Sequence, residues 1–162
     1  PYITHVFTSK EQLIKAVDEY VEDPSKFCYP IRYWDVSRIT DFSLVFDATR
    51  NPRLSSFNED LTEWNVSNAT NMSCMFCQCR SFNGDVSSWN VSNATNLRHM
   101  FYMCTSFDGD VSSWNVASVT DMSDMFYKCS SFDGDVSSWN VASVTDMRAM
   151  FYACTSFNAD VS

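Results

Sequence analysis

The sequence predicts an α/β repeat solenoid: parallel coils, each with short strand segments and a short helical turn, plus an N-terminal capping helix. Three observations predict it. The phrase FDGDVSSWNVASVTDM stands at 107–122 and again, letter for letter, at 132–147. Self-alignment at a shift of 25 residues is nearly perfect from about Asn65 onward, a period at which each unit buries its apolar side on its neighbours. Aromatic residues fall in columns: Trp64, Trp89, Trp114 and Trp139; Phe57, Phe82, Phe107, Phe132 and Phe157; Phe46, Phe76, Phe101, Phe126 and Phe151.

Residues 1–30 read as the N-terminal capping segment. TSKEQLIKAVDEYVEDP (8–24) is an amphipathic helix pattern in which Thr8 or Ser9 caps, Glu11 or Gln12 completes a capping box and Pro24 ends the run. Leu13, Ile14, Val17 and Val21 make its apolar stripe. Residues 31–162 read as about five 25-residue units. The first carries a five-residue insertion near TRNPR (49–53), expected to bulge out as a loop, and the last is incomplete.

In the unit from Val86, DVSSWNVSNAT is rich in Val, Ser, Thr and Trp, which favours extended chain. Leu97, Met100 and Phe101 stand at i, i+3 and i+4, the spacing of a short helical turn with one inward face. SFDGD and SFNGD supply the corner. SFNADVS stops inside a repeat, so more chain or another subunit is expected to cover that end.

Twenty acidic against eleven basic residues give a net charge of −9. That argues against nucleic acid, which needs clustered Lys and Arg, and against an anionic membrane surface. No run reaches the roughly 18 apolar residues of a membrane helix, so no direct membrane insertion is expected. The chain lacks an initiator Met and a signal pattern, which fits a processed or excerpted form.

The phrase W-[DN]-V-[SA]-x-[VAI]-T-[DN]-M, followed by M-F, a Cys and S-F-[ND]-x-D, appears as WDVSRITDF, WNVSNATNM, WNVSNATNL and twice as WNVASVTDM. It resembles the BspA-like leucine-rich-repeat surface proteins over 31–162. The resemblance implies a leucine-rich-repeat-like solenoid on a secreted or cell-surface protein, with adhesion or protein binding as its role and no catalytic residues to carry over. The first unit departs from the pattern, with FSLVF and with Thr49 in the Cys column.

Candidate sites follow from the columns. Asp60, Asp85, Asp110, Asp135 and Asp160 form a ladder of like charges that needs compensation. One reading has each carboxylate cap corner N–H groups as Asx turns do; the other has Ca²⁺ bridging coils at Asp108, Asp110, Asp133 and Asp135. Cys79, Cys104, Cys129 and Cys154 read as buried thiols, with bridges such as Cys104–Cys129 as the alternative. CMFCQC (74–79) contains C-x-x-C, but the only histidines, His5 and His99, do not complete a zinc site. Sequons at Asn65, Asn68, Asn71, Asn90 and Asn93 read first as asparagines bonding turns.

No serine–histidine–aspartate constellation and no phosphate loop is legible, so the chain reads as non-enzymatic and without a cofactor. The columns that vary are expected to carry partner identity. Positions 74/99/124/149 read Cys, His, Asp, Ala, and 78/103/128/153 read Gln, Met, Lys, Ala. Arg98, His99, Tyr102, Tyr127, Lys128, Arg148 and Tyr152 are the partner-binding candidates. The expected function is a protein–protein interaction or structural module, secreted or on the cell surface. The alternatives are an accessory subunit of a larger, organellar complex, and ice binding by the NAT, NAT, SVT, SVT ladder.

Overall fold

The computed structural model describes residues 5–159. Helix α1 (Lys10–Glu22) begins where Ser9 caps it. The Ser9 hydroxyl accepts the Gln12 N–H at 3.2 Å, and the Gln12 side-chain oxygen accepts the N–H and hydroxyl of Thr8 at 3.1 Å. Together they satisfy amides that have no partner inside a first helical turn. Asp23 ends the helix and accepts from Ser25, opening a 3-10 turn at Pro24–Lys26. The inward face of α1 is Leu13, Ala16, Val17 and Tyr20, with Ile14 and Val21 half-buried beside it. Tyr20 meets Trp34 edge-on at 5.5 Å, and Phe7 packs on the same indole at 5.1 Å.

The insertion does not bulge away from the molecule. Arg50 donates to one oxygen of Asp18 at 2.6 Å, Asn51 donates to the other at 2.8 Å, and Pro52–Ser56 wind into a 3-10 turn. The loop is thereby tied to α1.

The α/β expectation fails in the repeats. Among the described residues the repeats hold no strand, no sheet and no α-helix. Parallel pairing is confined to isolated bridges: Val6 with Asp35, then the column Asp41, Asn71, Asn96, Asp121 and Asp146. A leucine-rich-repeat-like solenoid with a strand and a helical turn in each coil is therefore not the architecture. The coil is built of turns.

The unit from Asp85 shows why. Asp85, Asn90 and Asn96 each accept, through Oδ1, the N–H of the residue two positions on, at 2.9, 3.1 and 2.9 Å. Trp89, Ala94 and Met100 then donate to the carbonyls of Val86, Val91 and Leu97, three residues back. The pattern Asx-apolar-x-x-apolar thus closes an Asx turn and a β-turn together, and repeats before an extended strand can form. Its two apolar positions face inward: Val86, Ala94, Leu97 and Met100 are fully buried, and Trp89 and Val91 nearly so.

The segment expected to be helical is also a run of turns. His99 and Met103 have φ of 55° and 58°, the left-handed region, which no α-helix tolerates. Odd and even amides go to different partners. Met100, Tyr102 and Cys104 donate three residues back inside their own coil, whereas Leu97, His99, Phe101 and Met103 donate to Asp121, Ser123, Met125 and Tyr127 of the next coil at 2.7–3.0 Å. The same alternation joins the neighbouring coils, from Met72, Cys74, Phe76 and Gln78 to Asn96, Arg98, Met100 and Tyr102.

Side chains repeat the register. Phe46, Phe76, Phe101, Phe126 and Phe151 stack with centroids 5.1–5.7 Å apart and planes within 8°. The second phenylalanine column leans on the first, as Phe101 does on Phe107 at 4.0 Å. Each repeat Trp donates its indole N–H to a carbonyl of the preceding coil, Trp114 to Val86 at 3.0 Å and Trp139 to Val111 at 3.0 Å. The corner glycines serve packing rather than a positive φ. A Cβ at Gly109 would stand 2.7 Å from the Phe107 ring.

Candidate functional site

The turn ladder presents the variable columns on one face. The left-handed positions are Leu44, Cys74, His99, Asp124 and Ala149, and Gln78, Met103, Lys128 and Ala153. With the backbone bent there, the residues between them come into column. Tyr102 and Tyr127 stack at 4.8 Å, and Tyr127 and Tyr152 at 5.0 Å, with planes 9° and 12° apart. Tyr102 and Tyr127 are partly exposed and Tyr152 is 58% exposed. Lys128 Nζ lies over the Tyr127 ring at 5.4 Å, where the ring's negative face attracts a cation. Arg98 and Arg148 are exposed beside this face. Arg148 forks onto Asp146 at 2.7 and 3.0 Å, whereas Asn96 holds the matching place before Arg98.

The same face brings together groups that looked scattered in the sequence. Cys74 Sγ is 3.8 Å from His99 Nδ1, and His99 Nε2 is 3.2 Å from Asp124 Oδ2. Cys74, His99 and Asp124 come from three successive coils, one column apart by 25 residues. All three side chains are half-buried, and the His99 ring rests edge-on against Tyr102 at 5.1 Å. The Cys77 N–H donates to the Cys74 carbonyl at 3.2 Å, closing a turn that sets Cys77 next to Cys74. Cys77 and the His99 ring hold Cys74 well below the ordinary thiol value, against burial and the Asp47 carboxylate. Cys74 and burial push Cys77 upward. A thiolate stabilised beside an imidazole that is itself anchored by a carboxylate is a nucleophile.

The family model described as "Mycoplasma protein of unknown function, DUF285" matches residues 5–104 and 85–162. The chain belongs to the DUF285 family. No curated protein and no solved structure matches it.

In this DUF285 member the remaining candidates are occupied by its own backbone. Asp60, Asp85, Asp110 and Asp135 each accept the N–H two residues on at 2.9 Å, as the Asx reading expects; Asp160 lies outside the described residues. Asp108 and Asp133 accept the N–H of Asp133 and Asn158, one coil ahead, at 2.9 Å. Among the described residues no group of three His, Cys, Asp or Glu is placed to hold a metal ion. The cysteine bridges are not formed. Cys79, Cys104, Cys129 and Cys154 are free, and each donates its thiol to a phenylalanine carbonyl of the preceding coil at 2.7–2.9 Å. Burial raises all four thiols, which disfavours the reactive thiolate.

The threonine ladder is exposed, and its polar groups bond one coil to the next. Thr95, Thr120 and Thr145 donate both N–H and hydroxyl to the previous threonine carbonyl, the hydroxyls at 3.1–3.2 Å. Asn68 and Asn93 donate to Ser37 and Ser67 at 2.7 Å. Of the other sequon asparagines, Asn65, Asn71 and Asn90 accept turn amides.

The sequence reading found no constellation around its histidines, and the stack makes one of His99. The column Cys, His, Asp, Ala was visible. With the 25-residue register expected, that column was read as a partner-facing surface and not as a cluster in contact with itself.

Proposed function

We propose that this chain is a protein-binding module of the BspA-like surface-protein kind, secreted or displayed at a cell surface, that docks its partner on the tyrosine face. The observation that carries this reading is the stacked Tyr102–Tyr127–Tyr152 column. Stacked rings are already ordered, so binding on them costs little side-chain entropy, and tyrosine supplies both apolar area and a hydrogen-bonding tip. Lys128 lies over the column and Arg98 is exposed beside it, while Arg148 is paired with Asp146, on a chain of net charge −9. A partner with acidic residues around an apolar centre fits that arrangement.

The test places a photo-cross-linking amino acid at Tyr127 in one protein and at Thr120, in the threonine column, in another. The reading predicts cross-links to a partner from position 127, lost when Tyr102 and Tyr152 are both changed to Ala. Cross-links arising from position 120 and not from 127 would put the docking surface elsewhere.

A further inference from the structure

We propose that Cys74 and Cys77 form a redox-active dithiol that exchanges electrons with low-molecular-weight or protein disulfides. In this couple Cys74 attacks, Cys77 resolves, and His99 and Asp124 position and charge the attacking sulfur. This goes beyond docking, since it assigns a covalent chemistry to the same face.

Four observations carry it. Cys74 and Cys77 are the first and last residues of a hydrogen-bonded turn, which holds their Cα atoms within about 7 Å, the span a disulfide bridges. The two thiols act on each other, Cys77 lowering Cys74 and Cys74 raising Cys77. Cys74 is half-buried at the face while Cys77 is 8% exposed, so one sulfur meets a co-reactant and the other waits behind it. His99 stands between Cys74 and Asp124, with one ring nitrogen toward each. A second thiol on the nucleophile's own turn is what disulfide exchange requires and acyl transfer does not.

The steps balance. His99 holds the proton of Cys74 at Nδ1, and Asp124 accepts from Nε2–H. The Cys74 thiolate attacks one sulfur of a disulfide RSSR′, a Cys74–SR bond forms, the S–S bond breaks, and R′S⁻ takes the His99 proton. Cys77 then attacks Cys74 Sγ, closing the protein disulfide, and the departing RS⁻ takes the proton that Cys77 carried. Two electrons pass from the dithiol to the disulfide, giving RSH and R′SH. The groups facing the attacking sulfur are Cys77 on its own turn, His99 from the next coil and Asp47 from the preceding one. Asp124 acts through His99 and is a positioning residue.

The experiment exposes the folded, reduced chain to glutathione disulfide, blocks the remaining thiols and maps peptides by mass. A Cys74–Cys77 disulfide as the first product is expected, with Cys79, Cys104, Cys129 and Cys154 still free. Cys77→Ser should stop at a Cys74–glutathione adduct. His99→Gln and Asp124→Asn should slow Cys74 alkylation at pH 7 about twofold, because part of the thiolate's stabilisation is lost while Cys77 remains and the less acidic thiolate is intrinsically more nucleophilic. In both variants the pH midpoint of that alkylation should move upward. The wild-type pH profile needs no variant to fold. If Cys74 alkylation rises only around the ordinary thiol range, or if glutathione is found on exposed Cys28 while Cys74 stays reduced, the proposal is overturned.

Discussion

At Asp85 and Asp110 the serine two residues on donates both its hydroxyl, at 2.7 Å, and its N–H, at 2.9 Å. These bonds hold both carboxyls below the usual range, against weaker repulsion from the neighbouring ladder aspartates. A carboxylate whose folded pKa is depressed binds fewer protons folded than unfolded. Its stabilisation is complete above the unfolded value of about 3.9 and is lost as pH falls through the folded value. The aspartate contribution to the melting temperature should therefore be flat from pH 7 to about 5 and fall below about 4, below the separate loss from Cys74 as pH falls through about 6, and Asp110→Asn should flatten part of the acid fall. Aromatic packing is the larger residue-scale effect. Phe126 lies 5.7 Å from both Phe101 and Phe151 and 4.0 Å from Phe132. Phe126→Ala should cost roughly 3–5 kcal/mol in urea unfolding, the range for emptying a buried phenylalanine site. Both features were legible in the letters, because an Asx residue finds its partner two positions away and a recurring phenylalanine declares its column.

Elements were legible only where their hydrogen bonds are local. The Ser9 cap and the apolar stripe of α1 satisfy or bury neighbours along one chain segment, and the pattern gave both. In the repeats the spacing i, i+3, i+4 fits an α-helix and a run of β-turns equally, since both bring Leu97, Met100 and Phe101 inward. What decides is that alternate amides find better acceptors in the next coil, which no single unit reveals. The cost is a left-handed backbone at residues with a Cβ, about 1–2 kcal/mol each. Ala149 (φ 48°) and Ala153 (φ 56°) are exposed, so glycine there removes that strain at the expense of a freer unfolded chain. Ala153→Gly should stabilise by up to about 1 kcal/mol in denaturant titration, where in a helix the same change would destabilise by about as much. The inserted loop gives a second check at this scale. Asp18→Ala removes the acceptor of both Arg50 and Asn51 and should cost about 1 kcal/mol, modest because the pair is partly exposed.

Across the whole molecule, stability is a sum over like interfaces, because each coil bonds chiefly to the coils before and after it. Excising one complete period, residues 108–132, joins equivalent positions and should leave a folded, shorter stack. Excising one residue fewer shifts every later amide off its acceptor and every later Phe off its column. The candidate site belongs to this scale as well. Cys74, His99 and Asp124 are far apart along the chain and meet only because the register is 25 residues. The central claim is thus the direction taken by alternate amides. Hydrogen-bond scalar couplings in labelled protein read it directly. The Phe101 amide should couple to the Met125 carbonyl, its acceptor at 3.0 Å, and coupling to the Leu97 carbonyl instead would mean a helix and contradict the turn-built stack.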